Sequence, residues 1–492
     1  MDIKIIGAGL GGLAVSCLLA HRGHDVTILE KNSSPGGKIN EVSIDGYRFD
    51  TGPSLLTMPF VLEKLFEYCD TQISDYLDIQ PVDPICRYFY PNGIQFDCYQ
   101  DTCLNTAQIQ QFAPDDVQAY KKFIAYAEQL FERTKDAFLY NPLYGLSDLS
   151  NLNFTDFLKI DAFQTVSGRI DKKFKSKELQ QFFKRFTTYN GSSPYQAPAT
   201  LNVIPYVELS LGGYYLDGGM YSLIKALASL AESKGVSIKY NIEVKKINTA
   251  DNVIEGITDA GGTLHPADIV VSNSDASETY LNLVDKEDIS LLKQKKVANV
   301  EPSCSGFVLM LGIDKSYNAL THHNIFFSED YEREFKQIFE DKVMPEDPTI
   351  YIANTSHTNP QHAPEDSSNL FILVNAPYLS DNIDWEHEEK RYKRQIIRKL
   401  QEHGLTDLSD HIEYSNTITP RDFYRKYRSN RGSIYGTSSN SKLAAFMRPK
   451  NKSRSLKGLY LVGGSTHPGG GIPLVTLSAF HADTLISRYE NY

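Results

Sequence analysis

The chain is poor in the residues that build metal clusters and disulfide frameworks. Its six cysteines, Cys17, Cys69, Cys86, Cys98, Cys103 and Cys304, are scattered over 492 residues without a CxxC pair. That spacing excludes a zinc knuckle or a thioredoxin-like centre, fits a reducing compartment, and leaves no metal site to expect. No run approaches the ~20 apolar residues that span a bilayer, and mean hydropathy is −0.35. Any contact with a membrane is therefore expected to be peripheral. Basic residues are outnumbered, 50 against 61 acidic ones for a formal charge of −11, which argues against nucleic acid as a partner. The opening MDIKIIGAG lacks the basic flank and longer apolar core of an export signal, so the expected location is cytoplasmic. Low-complexity tracts and fixed-period repeats are missing as well.

What is present is the composition of a folded globular protein, 41% hydrophobic and 23% charged, close to average usage. Ile3, Ile5 and Ile6 read as a buried strand that runs into Gly7, Gly9 and Gly12. Leu10, Ala14, Leu18 and Leu19 then recur at helical spacing, Arg22-Gly23-His24 breaks the helix, and Val26, Ile28 and Leu29 form a second strand, completing a βαβ unit. Later strands at Val236–Ile238, Val244 to Ile247 and Asp268–Ser272 read as a return to this first sheet. Residues 109–195 look mainly helical and are rich in aromatics that include Phe123, Tyr126 and Phe131. Most of those are expected to pack inward. The loop-like Phe138–Tyr144 segment is the candidate exposed apolar patch.

Gly7-Ala8-Gly9-Leu10-Gly11-Gly12 is a GxGxxG placed between a strand and a helix, the context in which the pattern carries meaning. Gly7 makes the tight turn, Gly9 lets backbone approach a pyrophosphate, and Gly12 lets helix and strand close up. The helix start offers free N–H groups to an anion. Glu30, at the end of the second strand, is placed for an adenosine ribose, and an acid there disfavours a 2′-phosphate. Glu30-Lys31 is followed by Pro35-Gly36-Gly37-Lys38, a second glycine pair and a base that resembles the extended fingerprint of FAD-binding oxidoreductases. Lys38 is a candidate point charge for a phosphate. At the other end, Leu459–Val462 runs into Gly463-Gly464 and then Thr466-His467-Pro468-Gly469-Gly470-Gly471-Ile472-Pro473, with Pro473 suited to a first helical turn. A helix starting there would favour the negative charge of a reduced flavin ring.

Phe49-Asp50-Thr51-Gly52-Pro53-Ser54 and the Thr466–Pro473 segment together resemble the paired signatures of bacterial-type carotenoid desaturases, the phytoene desaturase group. Within it the hydroxycarotenoid 3,4-desaturases are the most similar branch, although every branch shares the sharp motifs. Gly470 departs from the family, which often has alanine there. The resemblance implies an α/β fold, a Rossmann-like FAD-binding domain interleaved with a mixed-sheet substrate domain and a helical cap. Residues 1–80, 200–295 and 420–492 would form the FAD domain, 81–108 and 296–419 the substrate domain, and 109–199 the cap or a membrane-facing subdomain. It also implies FAD contacts at Gly7, Gly9, Leu10, Gly12, Glu30, Lys31, Gly37, Lys38, Thr51, Gly52, Pro53, Ser54, Val244, Gly463, Gly464, Gly471, Ile472 and Pro473.

The implied chemistry removes two hydrogens from a polyene end, as a hydride to the flavin and a neighbouring proton. No conventional base is evident. His467 is the candidate proton-handling residue, and bracing of its loop is the competing reading. Oxygen or a membrane quinone would take the electrons, since no second GxGxxG provides for NAD(P)H. About 0.8 kcal/mol per buried CH₂ over roughly 40 carbons is on the order of 30 kcal/mol. That exceeds the ceiling of roughly 18–21 kcal/mol for non-covalent binding. A carotenoid should therefore pass from lipid into an apolar tunnel, which places the protein at the inner face of the cytoplasmic membrane, with Phe138, Leu143 and Tyr144 as candidate contacts. A polar substrate terminus would need a hydrogen-bonding group in the tunnel. The alternatives are a phytoene desaturase, a flavin-dependent carotenoid cis/trans isomerase, an amine oxidase, and a non-catalytic lipid-binding escort.

Overall fold

The computed structural model describes residues 1–142, 144, 160–441 and 448–490. Its first sheet is five-stranded and parallel throughout, in the order Leu459–Leu461, Ile269–Ser272, Asp2–Ile6, Asp25–Leu29, Ser237–Lys239. Ile5 sits centrally, opposite Ile28 on one side and Val271 on the other. Parallel strands are covered on both faces, and the two-residue alternation sorts the side chains accordingly. Ile3, Ile5, Ile28 and Val271 join a core with the helices Leu10–His21, Ser222–Ser233 and Ile472–Tyr489. Ile6, Leu29, Val270 and Leu461 face the other way, onto Val244, Ile247, Ile254 and Ile257.

Those last four residues belong to a separate antiparallel sheet, Val244–Ala250, Val253–Asp259 and Leu264–Pro266. The return to the first sheet expected for Val244 to Ile247 therefore does not occur. Alternating apolar residues specify a half-buried strand but not the sheet it joins, and here the buried face lies on the parallel sheet rather than beside it.

The second large sheet has seven strands in the order Ile412–Ile418, Ser305–Ile313, Ser368–Ala376, Ile350–Asn354, His323–Phe326, Cys86–Phe89, Gln95–Cys98. All neighbours are antiparallel except His323–Phe326 with Cys86–Phe89. Phe307, Leu309 and Leu311 pack on Tyr392, Ile396 and Leu400 of the helix Trp385–Glu402. From the other face, Val308, Phe371, Leu373 and Tyr351 line a large cavity. Beside this sheet, helices Val117–Thr134 and Lys177–Lys184 bury Phe123, Phe182 and Phe183 against Tyr88 and Phe96. Among the described aromatics of this helical region, Phe123 and Phe131 are buried and Tyr126 is half-buried. No helix among the described residues is long and apolar enough to cross a membrane.

Candidate functional site

The N-terminal glycine turn closes because side chains are missing from it. A Cβ on Gly12 would lie 2.1 Å from the Gly7 carbonyl oxygen, and one on Gly9 2.8 Å from Asn273 Nδ2. Gly7 itself holds φ +90°, a region open to glycine at no steric penalty. The helix that follows starts at Leu10 with no side-chain cap and no acid in its first turn, so its N–H groups and positive dipole end are left for an anion. The C-terminal helix repeats the arrangement: Gly471 at φ +105°, proline in the first turn, neither cap nor acid. The two glycine clusters meet, since a Cβ on Gly11 would stand 3.0 Å from Gly463 N and 2.6 Å from Asn273 Oδ1. Asn273, just beyond the strand Ile269–Ser272, is the residue between them.

Both clusters open into one cavity of about 680 Å³. Of the residues expected at the cofactor, Gly7, Gly9, Leu10, Glu30, Lys31, Gly37, Lys38, Thr51, Gly52, Pro53, Ser54, Val244, Gly463, Gly464, Gly471, Ile472 and Pro473 line it. Gly12 does not, and acts in the helix–strand contact instead. Glu30 is buried, and its carboxylate accepts from Ala8 N at 2.8 Å and from Asn32 N at 2.9 Å, which ties the second strand to the glycine turn. Lys38 donates to the carbonyls of Ser433 at 3.2 Å and Ile434 at 2.7 Å, a use other than the expected phosphate contact. Burial pushes its ammonium down to about 8, with the Asp275 carboxylate opposing. Uncapped helix starts and glycine surfaces free of Cβ atoms are what an extended flavin dinucleotide requires, so the residues present fit that group.

His467 lines the same cavity. Its Nε2 lies 3.3 Å from the Asn141 carbonyl, and its own carbonyl accepts from Asn451 Nδ2 at 2.8 Å. Burial pushes the imidazole down to about 4, so near neutrality it is an uncharged ring that donates to Asn141 and holds its loop in place. His481 stacks on it at 5.3 Å.

Sequence reading missed a polar cluster in the wall formed by the second sheet and the helical region. Arg185 is 7% exposed and Glu208 1%, and they form a buried ion pair. Tyr88 OH accepts from Arg185, and Tyr189 OH donates to Glu208. Beside them Ser54, Tyr351 and His323 form a relay, with Tyr351 OH 2.7 Å from His323 Nδ1 and within hydrogen-bond reach of Ser54 Oγ. Burial and the Arg185 charge push His323 down to about 3. Arg185 Nε and His323 Nε2 are buried without a hydrogen-bond partner. Arg185 and Tyr189 share one short helical segment, Arg185–Asn190, and Glu208 lies on the helix Ile204–Leu209, whereas Tyr88, His323 and Tyr351 stand on three strands of the second sheet; the packing of that helical region on the sheet brings them together.

The buried histidines give a pH prediction. Burial lowers His322, His323, His362, His467 and His481 below the ordinary 6.5, to about 4 for His362 and His467 and about 3 for His323 and His481. Between pH 6.5 and 4 the unfolded chain therefore binds more protons at these sites than the native one. Stability falls as pH falls through that window. Thermal unfolding followed across it should show a steady drop in melting temperature, and a flat profile would contradict the burial of these rings.

Comparison with known proteins agrees with this geometry. The family profile described as "Flavin containing amine oxidoreductase" matches residues 10–482. The 4,4'-diaponeurosporene oxygenase of Staphylococcus haemolyticus is 37% identical over 99% of this chain and 97% of its own length. The protein of the same name from Staphylococcus aureus is 36% identical over 99% and 98%. An oxidoreductase from Methanosarcina mazei has the same fold, with a TM-score of 0.65 at 16% identity over 98% of this chain and 99% of that one. The chain belongs to the flavin-containing amine oxidoreductase family. It is a flavin-dependent oxidoreductase, with the α/β fold its motifs imply.

Proposed function

We propose that the protein is an FAD-dependent oxidoreductase that oxidises the end of a long polyene, a carotenoid of the 4,4'-diaponeurosporene kind. One observation carries the reading. The cavity at the junction of the glycine clusters continues along an apolar wall that includes Leu139, Phe131, Val308, Phe371 and Leu373, a surface suited to a hydrocarbon chain and not to an amine. Glu30 beside the first glycine turn supports an adenine dinucleotide over a mononucleotide. The residues lining the glycine junction would hold FAD, which would supply a hydride acceptor for an activated C–H of the polyene; gain of oxygen would then take its hydroxyl from one water, with release of a proton, and desaturation would instead lose a proton from the neighbouring carbon. The protein's part is to lay that carbon against the glycine surfaces, hold back bulk water with apolar side chains, and favour negative charge at the helix N-termini. Dioxygen or a quinone is the proposed electron acceptor.

Two outcomes at the polyene end are separable by product mass. Full-length likeness to proteins named as oxygenases supports gain of oxygen. The paired motifs support 3,4-desaturation of a hydroxylated carotenoid, with loss of two hydrogens. Oxygenation is preferred, because the identity spans the whole chain while the motifs are common to all branches. FAD-loaded protein incubated with acyclic, hydroxylated and monocyclic carotenoids should give a product heavier by oxygen. An isomer of unchanged mass would mean an isomerase. A preparation that binds polyene but neither holds flavin nor turns over would mean an escort.

The proposed location is the inner face of the cytoplasmic membrane. Of the three contacts expected there, the side chain of Phe138 and all of Leu143 lie outside the described residues, and Tyr144 packs on Tyr489 at 5.4 Å beneath Arg454. A better docking point is the start of the helix Leu291–Ala298, where Leu291 and Leu292 are 73% and 81% exposed and Lys295 and Lys296 follow. Each leucine buried in lipid contributes ~1.5–3 kcal/mol, and each lysine near an anionic surface about 1 kcal/mol. Leu291→Ser with Leu292→Ser should weaken co-sedimentation with anionic vesicles at least about tenfold. Unchanged sedimentation would remove this docking point.

A further inference from the structure

Two arginines below one-tenth exposure line the cavity, Arg185 at 7% and Arg448 at 6%. Arg185 has Glu208 as its counter-charge. Lys38 and Arg428 are likewise offset, by Asp275 and by Glu243 at 3.8 Å. Lys31 follows Glu30 in the chain, and Lys426 is exposed to solvent. Arg448 has no acidic partner among the described residues: its Nη2 donates to Ser439 Oγ at 3.1 Å, and its Nη1 is buried with no hydrogen-bond partner. Burial pushes the guanidinium down only to about 10, so it stays charged near neutrality. An unpaired buried cation is destabilising on its own, and a negative charge arriving in the cavity would offset that penalty.

The guanidinium stands behind the C-terminal glycine turn. A Cβ on Gly469 would lie 2.8 Å from Arg448 Nη1 and 3.1 Å from its Cζ, and the neighbouring Pro468, Gly470 and Gly471 line the cavity. Nη1 is closed off by this packing, so it acts on a bound molecule through its charge and not through a hydrogen bond. The helix Ile472–Tyr489 starts at the same turn with neither cap nor acid, and its dipole adds a field of the same sign. In a wall of low polarity such a field is weakly screened. It already reaches His467, where it adds to burial in pushing the imidazole down to about 4.

The proposed occupants differ in the charge they bring. A polyene brings none. The two phosphates of FAD carry the same charge whether the flavin is oxidised or reduced, and the uncapped helix start at Leu10 offers them N–H groups. Only the flavin ring changes: uptake of a hydride adds two electrons and one proton and leaves the ring with one negative charge. We propose that Arg448 is the fixed positive charge that stabilises the reduced, anionic flavin and so raises the reduction potential of the bound cofactor. Hydride transfer from the polyene end is thereby made more favourable. This rests on the FAD reading above.

The test is the two-electron midpoint potential of bound FAD, read from the flavin spectrum against reference dyes, together with the affinity for oxidised FAD. Arg448→Met should shift the reduction equilibrium at least about tenfold toward the oxidised form, a fall of about 30 mV. Arg448→Gln, which keeps a donor toward Ser439 but not the charge, should fall likewise and supplies the comparison if the methionine variant does not fold. Arg448→Lys keeps the charge and should stay near wild type, as should Ser439→Ala. Equal potentials in wild type and both uncharged variants would overturn the proposal. So would a fall as large in Arg448→Lys, which would make shape and not charge the cause. Weaker binding of oxidised FAD at an unchanged potential would assign the charge to the phosphates and overturn it too. All three results leave the FAD reading standing, whereas wild type that holds no FAD would overturn both.

Discussion

Gly12→Ala should yield protein that retains no flavin. The added Cβ would sit 2.1 Å from the Gly7 carbonyl oxygen, and the obstacle is backbone, which no rotamer change can move. Relief requires the helix Leu10–His21 to lift from its strand, and that helix is buried on all sides, against the sheet and against Ser222–Ser233 and Ile472–Tyr489. Overpacking generally costs about 1–3 kcal/mol and more where backbone must shift, so a loss of at least about 3 kcal/mol is expected here. Gly52→Ala belongs to the same class, with its Cβ 1.9 Å from the Lys38 carbonyl oxygen. Gly470→Ala supplies the contrast: its nearest neighbours would be Tyr435 atoms at 3.3–3.4 Å, and its φ is not positive. It should keep flavin and melt close to wild type. Flavin absorbance per mole of purified protein and thermal melting separate the three. Full flavin content in Gly12→Ala would contradict the described contact between turn and helix.

The contrast between these glycines reflects how the site is written in the chain. The parallel sheet and its two cradles were legible because each is a local strand–glycine–helix pattern, in which residues a few positions apart perform one task. The same locality made the helix start at Pro473 and the turn at Gly7 readable. Lys38 shows where locality ends. Its position after the glycine pair suggests a phosphate, while the fold brings the carbonyls of Ser433 and Ile434, almost 400 positions later, to its ammonium. The meander that begins at Val244 was assigned to the wrong sheet for a related reason, since a two-residue period records burial on one face and not the identity of the neighbour. Asn273 and the Arg185, Glu208, His323 and Tyr351 cluster have no periodic or motif signal at all. They are polar residues in otherwise apolar surroundings, and only their convergence in space distinguishes them from solvated ones.

Glu208→Ala is the second substitution with a large expected effect, a loss of about 3–5 kcal/mol, because it leaves the Arg185 guanidinium buried without its counter-charge. Glu208 is 1% exposed and also accepts from Tyr189 OH, so truncation strands two donors at once. Arg185→Met combined with Glu208→Leu should recover most of that loss, since replacing a buried ion pair by apolar groups of similar size is often neutral or stabilising. Arg185→Met alone, Glu208→Leu alone and the two combined form a thermodynamic cycle in chemical denaturation, and a coupling of about 0.5–3 kcal/mol is the scale expected for contacting residues. Additive effects would mean that the pair does not act as a unit. If the double variant is as stable as wild type, stability does not explain why two charges and three phenols stand in an apolar wall.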